Sequence, residues 1–331
     1  MAGSRALRKL QLGDENTAGT PVAATAIWRG MGVIHDQREV IFPEEDVGIL
    51  GGTTRSYIAR VWTDLTMDSV EATYEQLPYI FEAGVAIETP TQDGTGSDYI
   101  YNYVAPTTAQ NTIRTYTIEG GDDQQAEEFD YAFVKHFNLS GEAQGALMVT
   151  ADWIGRATSN TTFSSPSLVS VEEILVNDGT LYIDAGGGTI GTTEVSDTLF
   201  GVDLDWTTGL QEYWAVDGST DFSLHKFTTD EIVLTLTYEH NASAVTEKAA
   251  YRAGTTRLVR LQFEGSAVNT AGTTYSNKTM IIDLAGVYED WSALEDRDGN
   301  DVVNATLRVR YSSTDTLKAD VTIVNEVSAL P

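Results

Sequence analysis

The sequence predicts a mainly β protein, and three observations predict it. Short runs rich in β-branched and aromatic residues recur along the whole chain, several of them alternating in polarity. Clusters of turn-forming residues separate these runs: QDGTGSD (92–98), GGDDQ (120–124), AGGGTIG (185–191) and DRDGND (296–301). Only two stretches carry helical spacing.

Taken in order, the first thirty residues hold no clean strand before about Ala24–Trp28. PEEDVGILGGTTR (43–55) is Gly-rich with acids at its start, and is expected to be a long hairpin loop; loops of this length are usually functional or disordered. YIARVWTDL (57–65) is the next strand. In 70–84, Leu77, Ile80, Phe81 and Gly84 fall near one helical face. Pro78 fits a helix only near its start, so the helix begins around Gln76 or is kinked. YIYNYV (99–104), TIRTYTIEG (112–120), YAFVKHFNLS (131–140) and ALMVTADWIG (146–155) read as strands. ATSNTTFSSPS (157–167) has the composition of a linker. Beyond it, EIVLTLTYEH (231–240) is a strand, and 242–253 a helix with Ser243 as a candidate N-cap and Glu247 in its first turn. RLVRLQFEG (257–265), TMIIDLAGVYED (279–290), NATLRVRYS (304–312) and DVTIVNEV (320–327) are strands; Leu307, Val309 and Tyr311 share one face of the third, with Arg308 and Arg310 on the other.

The order of elements repeats. A strand, one helix and then paired strands occur in each half. A Thr-Tyr-Glu phrase stands before each helix, at Thr73–Glu75 and at Thr237–Glu239. The chain therefore reads as two copies of one β-rich unit, residues 1–160 with an N-terminal arm and residues 168–331.

Charge is the strongest compositional signal. Asp and Glu number 49 against 20 Lys and Arg, a formal charge of −29. The first 165 residues carry −13 and the remainder −16, so the acidity is spread along the chain. Such a protein repels nucleic acid at long range, because phosphate binding needs clustered Lys and Arg. There is no apolar run long enough for a membrane span, and the basic start lacks the apolar core of a secretory signal. With no cysteine, disulfides, thiolate nucleophiles and Cys-ligated metals are excluded, which fits cytoplasmic production.

No constellation carries catalysis. His35, His136, His225 and His240 show no zinc spacing, and AGGGTIG lacks the Lys-Ser/Thr and the helix of a P-loop. In DRDGND, Asp296, Asp298 and Asn300 imitate a calcium loop. Yet Gly299 stands fourth rather than sixth and Leu307 occupies the place of the closing Glu, so a hairpin tip is the better account. The acidic run Asp122–Asp130 has no defined carboxylate pair. A protein without reactive groups is expected to work through faces and edges, with neither catalytic residues nor a cofactor or metal.

Three stretches resemble the tail tube proteins of long-tailed bacteriophages. They are LRKLQLGDENTAGTPVAATA (7–26), EEDVGILGGTTRSYIARVWTDLTMDSVEATYEQLPYIFEAGV (44–85) and YAFVKHFNLSGEAQGALMVTADWIGR (131–156). Together they cover most of the first half; their order is characteristic, though no single motif is diagnostic. The second half resembles the duplicated members of that family. The resemblance implies two tandem β-sandwich or half-barrel units, each with a flanking short helix. It implies assembly with copies of itself into trimeric, pseudo-hexameric rings, hexameric rings being the alternative. The rings would stack into a hollow virion tail tube that meets the tape-measure, terminator and tip proteins and passes DNA as a non-specific cargo, after synthesis in the host bacterial cytoplasm. It makes the loop residues Gly48, Ile49, Leu50, Gly51, Gly52 and Thr53 candidates for contact between rings. Asp122, Asp123, Glu127 and Glu128 are candidates for an acidic lumen wall. A β-sandwich binding module of a virion, recognising a receptor or glycan, is the other class compatible with the sequence; exposed aromatics in a cleft would favour it.

Overall fold

The computed structural model describes residues 3–331. Strand accounts for 49% of the chain and helix for 8%, which makes the protein mainly β. In chain order the elements are β1 (Lys9–Glu15), β2 (Ala26–Trp28), β3 (Gly32–Ile41), β4 (Tyr57–Met67), β5 (Val70–Glu71), α1 (Leu77–Gly84), β6 (Thr91–Gln92), β7 (Tyr99–Val104), β8 (Thr115–Gly121), β9 (Ala126–Glu142), β10 (Met148–Gly155) and β11 (Ser159–Thr161). They continue with β12 (Gly179–Ala185), β13 (Leu199–Thr207), β14 (Leu210–Tyr213), β15 (Leu224–Phe227), β16 (Glu231–Glu239), α2 (Ala242–Ala253), β17 (Arg257–Ala267), β18 (Asn277–Trp291), β19 (Glu295–Arg297), β20 (Asn300–Val309) and β21 (Ala319–Asn325).

Antiparallel pairing links all the strands except the β14–β15 hairpin into one sheet system. Its spine runs β3-β4-β10-β9-β13-β16-β20-β18. Two further layers branch from it. One is β2-β1-β8-β9-β11 and the other is β12-β17-β18-β21-β7-β6.

The branching follows from two long strands that each serve two layers. The first part of β9 pairs with β8, and Phe133 onward pairs with β10. The first part of β18 pairs with β17, and Gly286 onward pairs with β20. Tyr131, at φ +56°, marks the bend in β9. Just past each bend one residue is skipped in the pairing: Lys135 against β10 and Glu289 against β20. Such bulges raise the local twist and let a strand leave one sheet for another.

Between the layers, alternating strand positions form the core. Leu10, Leu12, Leu65, Phe137, Trp153, Leu204, Leu234, Trp291 and Leu307 belong to a single cluster that spans both halves of the chain. Helix α1 lies inside it. Every one of its residues is buried, and Phe81 sits 5.3 Å from Phe137 and 5.4 Å from Tyr103, ring to ring. It starts after Gln76 with Pro78 in its first turn, as the proline requires; residues 70–71 form β5 instead of helix. Helix α2 packs on β18 with Ala244 and Glu247 buried. Its cap is Asn241, not Ser243: the Asn241 side chain accepts from the N–H groups of Ser243 (2.9 Å) and Ala244 (3.2 Å).

The N-terminal segment also departs from expectation. Lys9–Glu15 is a full strand against β8, with Leu10, Gln11 and Leu12 all buried, so this part of the chain is not a free arm. The 157–167 stretch is extended. It includes β11, and the backbone N–H groups of Ser164 and Ser165 donate to Glu119 and Gln11. The two halves interlock, because β7 of the first adds to β21 of the second. The twin Thr-Tyr-Glu phrases are not equivalent: Thr237–Glu239 ends β16, whereas Thr73–Glu75 lies past β5.

Candidate assembly surface

One side of the spine sheet faces the main core; the other is open except where the β14–β15 hairpin covers Phe133 and Ile154. The open side is polar because the alternation of its strands puts Thr, Asn, Asp and Glu there. Cross-strand contacts knit these side chains into rows. Thr66 Oγ1 donates to Asp152 (2.8 Å), His136 lies between Asp152 (3.3 Å) and Asp205 (2.9 Å), and Asn138 donates to Asp203 (2.5 Å). Farther along, Thr237 donates to Asn304 (2.8 Å), and Arg308 reaches Glu231 (2.7 Å) and Glu289 (3.4 Å). Asp64, Asp152, Asp203, Asp205, Glu231 and Glu289 make the face acidic, with Arg308 and His136 set among them.

The spine ends in two unpaired edges. Among the described residues, β3 pairs only with β4, and the last part of β18 pairs only with β20. Val33 on β3 is 63% exposed, and Leu294 just beyond β18 is 51% exposed. Free edges with exposed apolar residues are templates for pairing with another chain.

Two hairpin connections extend from the spine. The β3–β4 connection is the long loop expected from the sequence, and Gly48, Ile49, Leu50, Gly51, Gly52 and Thr53 are all exposed in it. It is ordered by its own bonds. Glu45 N–H donates to Gly52 O (3.0 Å), Thr53 Oγ1 to Pro43 O (2.7 Å), and Arg55 Nε to Glu45 (2.6 Å). Gly48 and Gly52 take φ +74° and +75°, where glycine is favoured. The β13–β16 connection carries the β14–β15 hairpin, which folds down as an arm over the first half. There Leu210 and Phe222 pack with Tyr131, Phe133 and Ile154 in a second small core, and Arg60 lies 5.1 Å and 5.0 Å over the rings of Trp62 and Trp214. Nothing in the order of residues marks 210–227 as a clamp, apart from its unusual density of Trp and Phe.

The acidic run lies elsewhere than the open face. Asp122 and Asp123 form the β8–β9 turn, where Asp122 accepts from the N–H of Gln124 (2.8 Å) and Asp123 from that of Ser4 (2.9 Å). Glu127 and Glu128 are in the first part of β9, opposite Gly120 and Glu119 of the branching layer.

Each helix also sends one buried glutamate to an arginine and a tyrosine. Glu82 meets Arg114 (3.6 Å) and the Tyr116 hydroxyl (3.3 Å), and burial pushes its carboxyl up to about 7. Glu247 meets Arg257 (2.8 Å at Nε) and the Tyr288 hydroxyl (3.2 Å). Burial likewise raises Asp130 and Asp320 to about 6. The two glutamates tie helix to sheet.

The DRDGND stretch is the β19–β20 hairpin tip, with Asp298 at φ +55° and Gly299 at +85°. Among the described residues no group of three or more His, Cys, Asp or Glu side chains is placed to hold a metal ion. No described helix is long and apolar enough to cross a membrane. The chain matches no protein-family model and no curated protein.

Proposed function

We propose that this chain is the subunit of a phage tail tube, built as two tandem copies of one unit, and that it polymerises through its sheet edges into stacked rings. The observation that carries this reading is the spine sheet: a continuous run of strands, polar and acidic on its open face, with an unpaired edge at each end. Such a sheet satisfies both edges by joining copies head to tail, and closes when the rotation per copy divides a full turn. The duplication is supported by the two bent strands with their matching bulges, and by the two buried Glu–Arg–Tyr sets. With two units per chain, three copies give a ring of pseudo-six-fold symmetry.

In that ring the open face lines the lumen. Its carboxylates repel the phosphates of DNA, and its cations are too few to hold a strand, so cargo passes without sticking. Tape-measure, terminator and tip proteins are the partners such a tube requires, and the virion tail is where it would be found. Of the aromatic residues outside the main core, Trp62, Tyr131, Phe133, Trp214, Phe222 and Phe227 pack together beside the β14–β15 arm, whereas Phe42, Tyr57, Tyr213 and Tyr311 are exposed. Electron microscopy of the purified chain, with light-scattering mass alongside, tests the proposal. Hollow rings or tubes of three chains per layer are expected. A monomer that stays monomeric when concentrated and given tail-tip proteins would overturn it.

A further inference from the structure

The chain already contains one junction of the kind a ring needs, where β9 of the first half pairs with β13 of the second. Resting on the tail-tube reading, we infer that β18 of one copy joins β3 of the next in the register of that internal junction, with Leu294 opposite Val33, Ala293 opposite Ile34, Ser292 opposite His35 and Trp291 opposite Asp36.

The register follows from superposing the two halves on their bulges. Lys135 and Glu289 are the skipped residues, so Phe137 corresponds to Trp291, Leu139 to Ala293 and Ser140 to Leu294. On the other side of the bulged pair, Trp153 faces Leu65 and Leu307 faces Leu234. Leu65 in turn faces Ile34, and Leu234 faces Leu204, so Ile34 corresponds to Leu204, Val33 to Asp203 and Asp36 to Trp206. Inside the chain the pairs are Asp203 with Ser140, Leu204 with Leu139 and Trp206 with Phe137. Substituting the corresponding residues gives the pairs between copies.

Three features of the isolated chain, none used in that superposition, fit the result. Leu139 and Leu204 are fully buried at the internal junction, whereas their counterparts Ala293 and Ile34 are exposed and half-buried, as core positions would be before a partner arrives. Val33 and Leu294, two exposed apolar side chains, come face to face. Trp291 is buried, yet its Nε1–H has no acceptor among the described residues, and the register sets the Asp36 carboxylate of the next copy across from it. A slip of two residues would keep every side chain on its face but separate these pairs.

Because the chain has no cysteine, a disulfide can report the register directly. The Val33→Cys/Leu294→Cys variant, assembled and oxidised with copper phenanthroline, is expected to run on a non-reducing gel as a ladder that ends at a closed trimer. Either single variant should yield no ladder. The comparison is Val33→Cys/Ser292→Cys, which matches the two-residue slip. If rings form but the slipped pair cross-links better, or the first pair stays monomeric on the gel, the register is overturned and the ring reading stands. If the unsubstituted chain forms no rings or tubes, the register falls with that reading.

Discussion

Replacing Glu82 by Gln is expected to change how stability depends on pH. Glu82 is 4% exposed on a helix that is itself inside the core, and its carboxyl is raised from 4.5 to about 7, first by burial and then by Asp14, against the opposing pull of Arg114. The direction sets the sign. Between the unfolded value near 4.5 and the folded value near 7, the native state holds a proton that the unfolded chain has lost. Stability from this group is therefore full at low pH, falls as pH rises through that window, and is flat above it. A shift of this size corresponds to roughly 3 kcal/mol. Glutamine is close in shape, can still bond the Tyr116 hydroxyl, and does not titrate; Arg114 keeps Asp14 at 3.1 Å. Urea unfolding of both proteins at a series of pH values from 4.5 to 8, under conditions that keep the chain unassembled, would give two curves. The unsubstituted curve should fall relative to the variant's by about 3 kcal/mol across the series. Parallel curves would refute the account of Glu82 as a buried carboxyl held against its preference.

Other changes probe other parts of the molecule. Phe222→Ala empties a fully buried position in the small core under the β14–β15 arm; it should cost about 3–5 kcal/mol in urea unfolding and expose Trp214 to quenchers. Asn241→Ala removes the cap of α2, with a loss of about 1 kcal/mol in the same assay, while Ser243→Ala should leave stability nearly unchanged. Because each copy carries −29, raising salt from about 0.05 to 0.5 M should lower the concentration at which the proposed rings form, as measured by light scattering; a rise in that concentration would mean that attraction between charges governs the edges.

Much of the fold was legible because its signals are local. YIYNYV maps onto β7 without adjustment, Pro78 fixed the start of α1, and Asp-Gly at 298–299 marked a hairpin tip. What could not be read depends on distant partners. The alternation of Leu10 and Leu12 was present in the sequence, but only pairing with β8 makes that segment a strand. The Asn241 side chain competes with Ser243 for the same helix end, and the choice is made by the backbone turn that leaves β16. The run DDQQAEEFD is a block of charge in the sequence, and it divides between a turn and the strand after it. The acids on the open face are spaced one residue apart, as at Asp203 and Asp205, and look ordinary until their strand is placed. The Thr-Tyr-Glu phrase that points to a repeat is not equivalent in the two halves; the bulges at Lys135 and Glu289, on which the proposed duplication rests, have no signature in residue type.

The pairing of β7 with β21 has a consequence for how the protein is made. Asn102 and Thr322, hydrogen-bonded across these strands, are 220 residues apart. At roughly 5–20 residues per second, a ribosome needs about 10–40 seconds to travel between them. During that interval the nascent chain holds β7 with β6 alone, and its link through β21 to the rest of the layer is missing. A subunit with both halves locked together is therefore available only after synthesis has passed β21, so a partly made chain would be a poor substrate for polymerisation. In the proposed assembly, the interlock would act as a timer that keeps unfinished subunits out of the growing polymer.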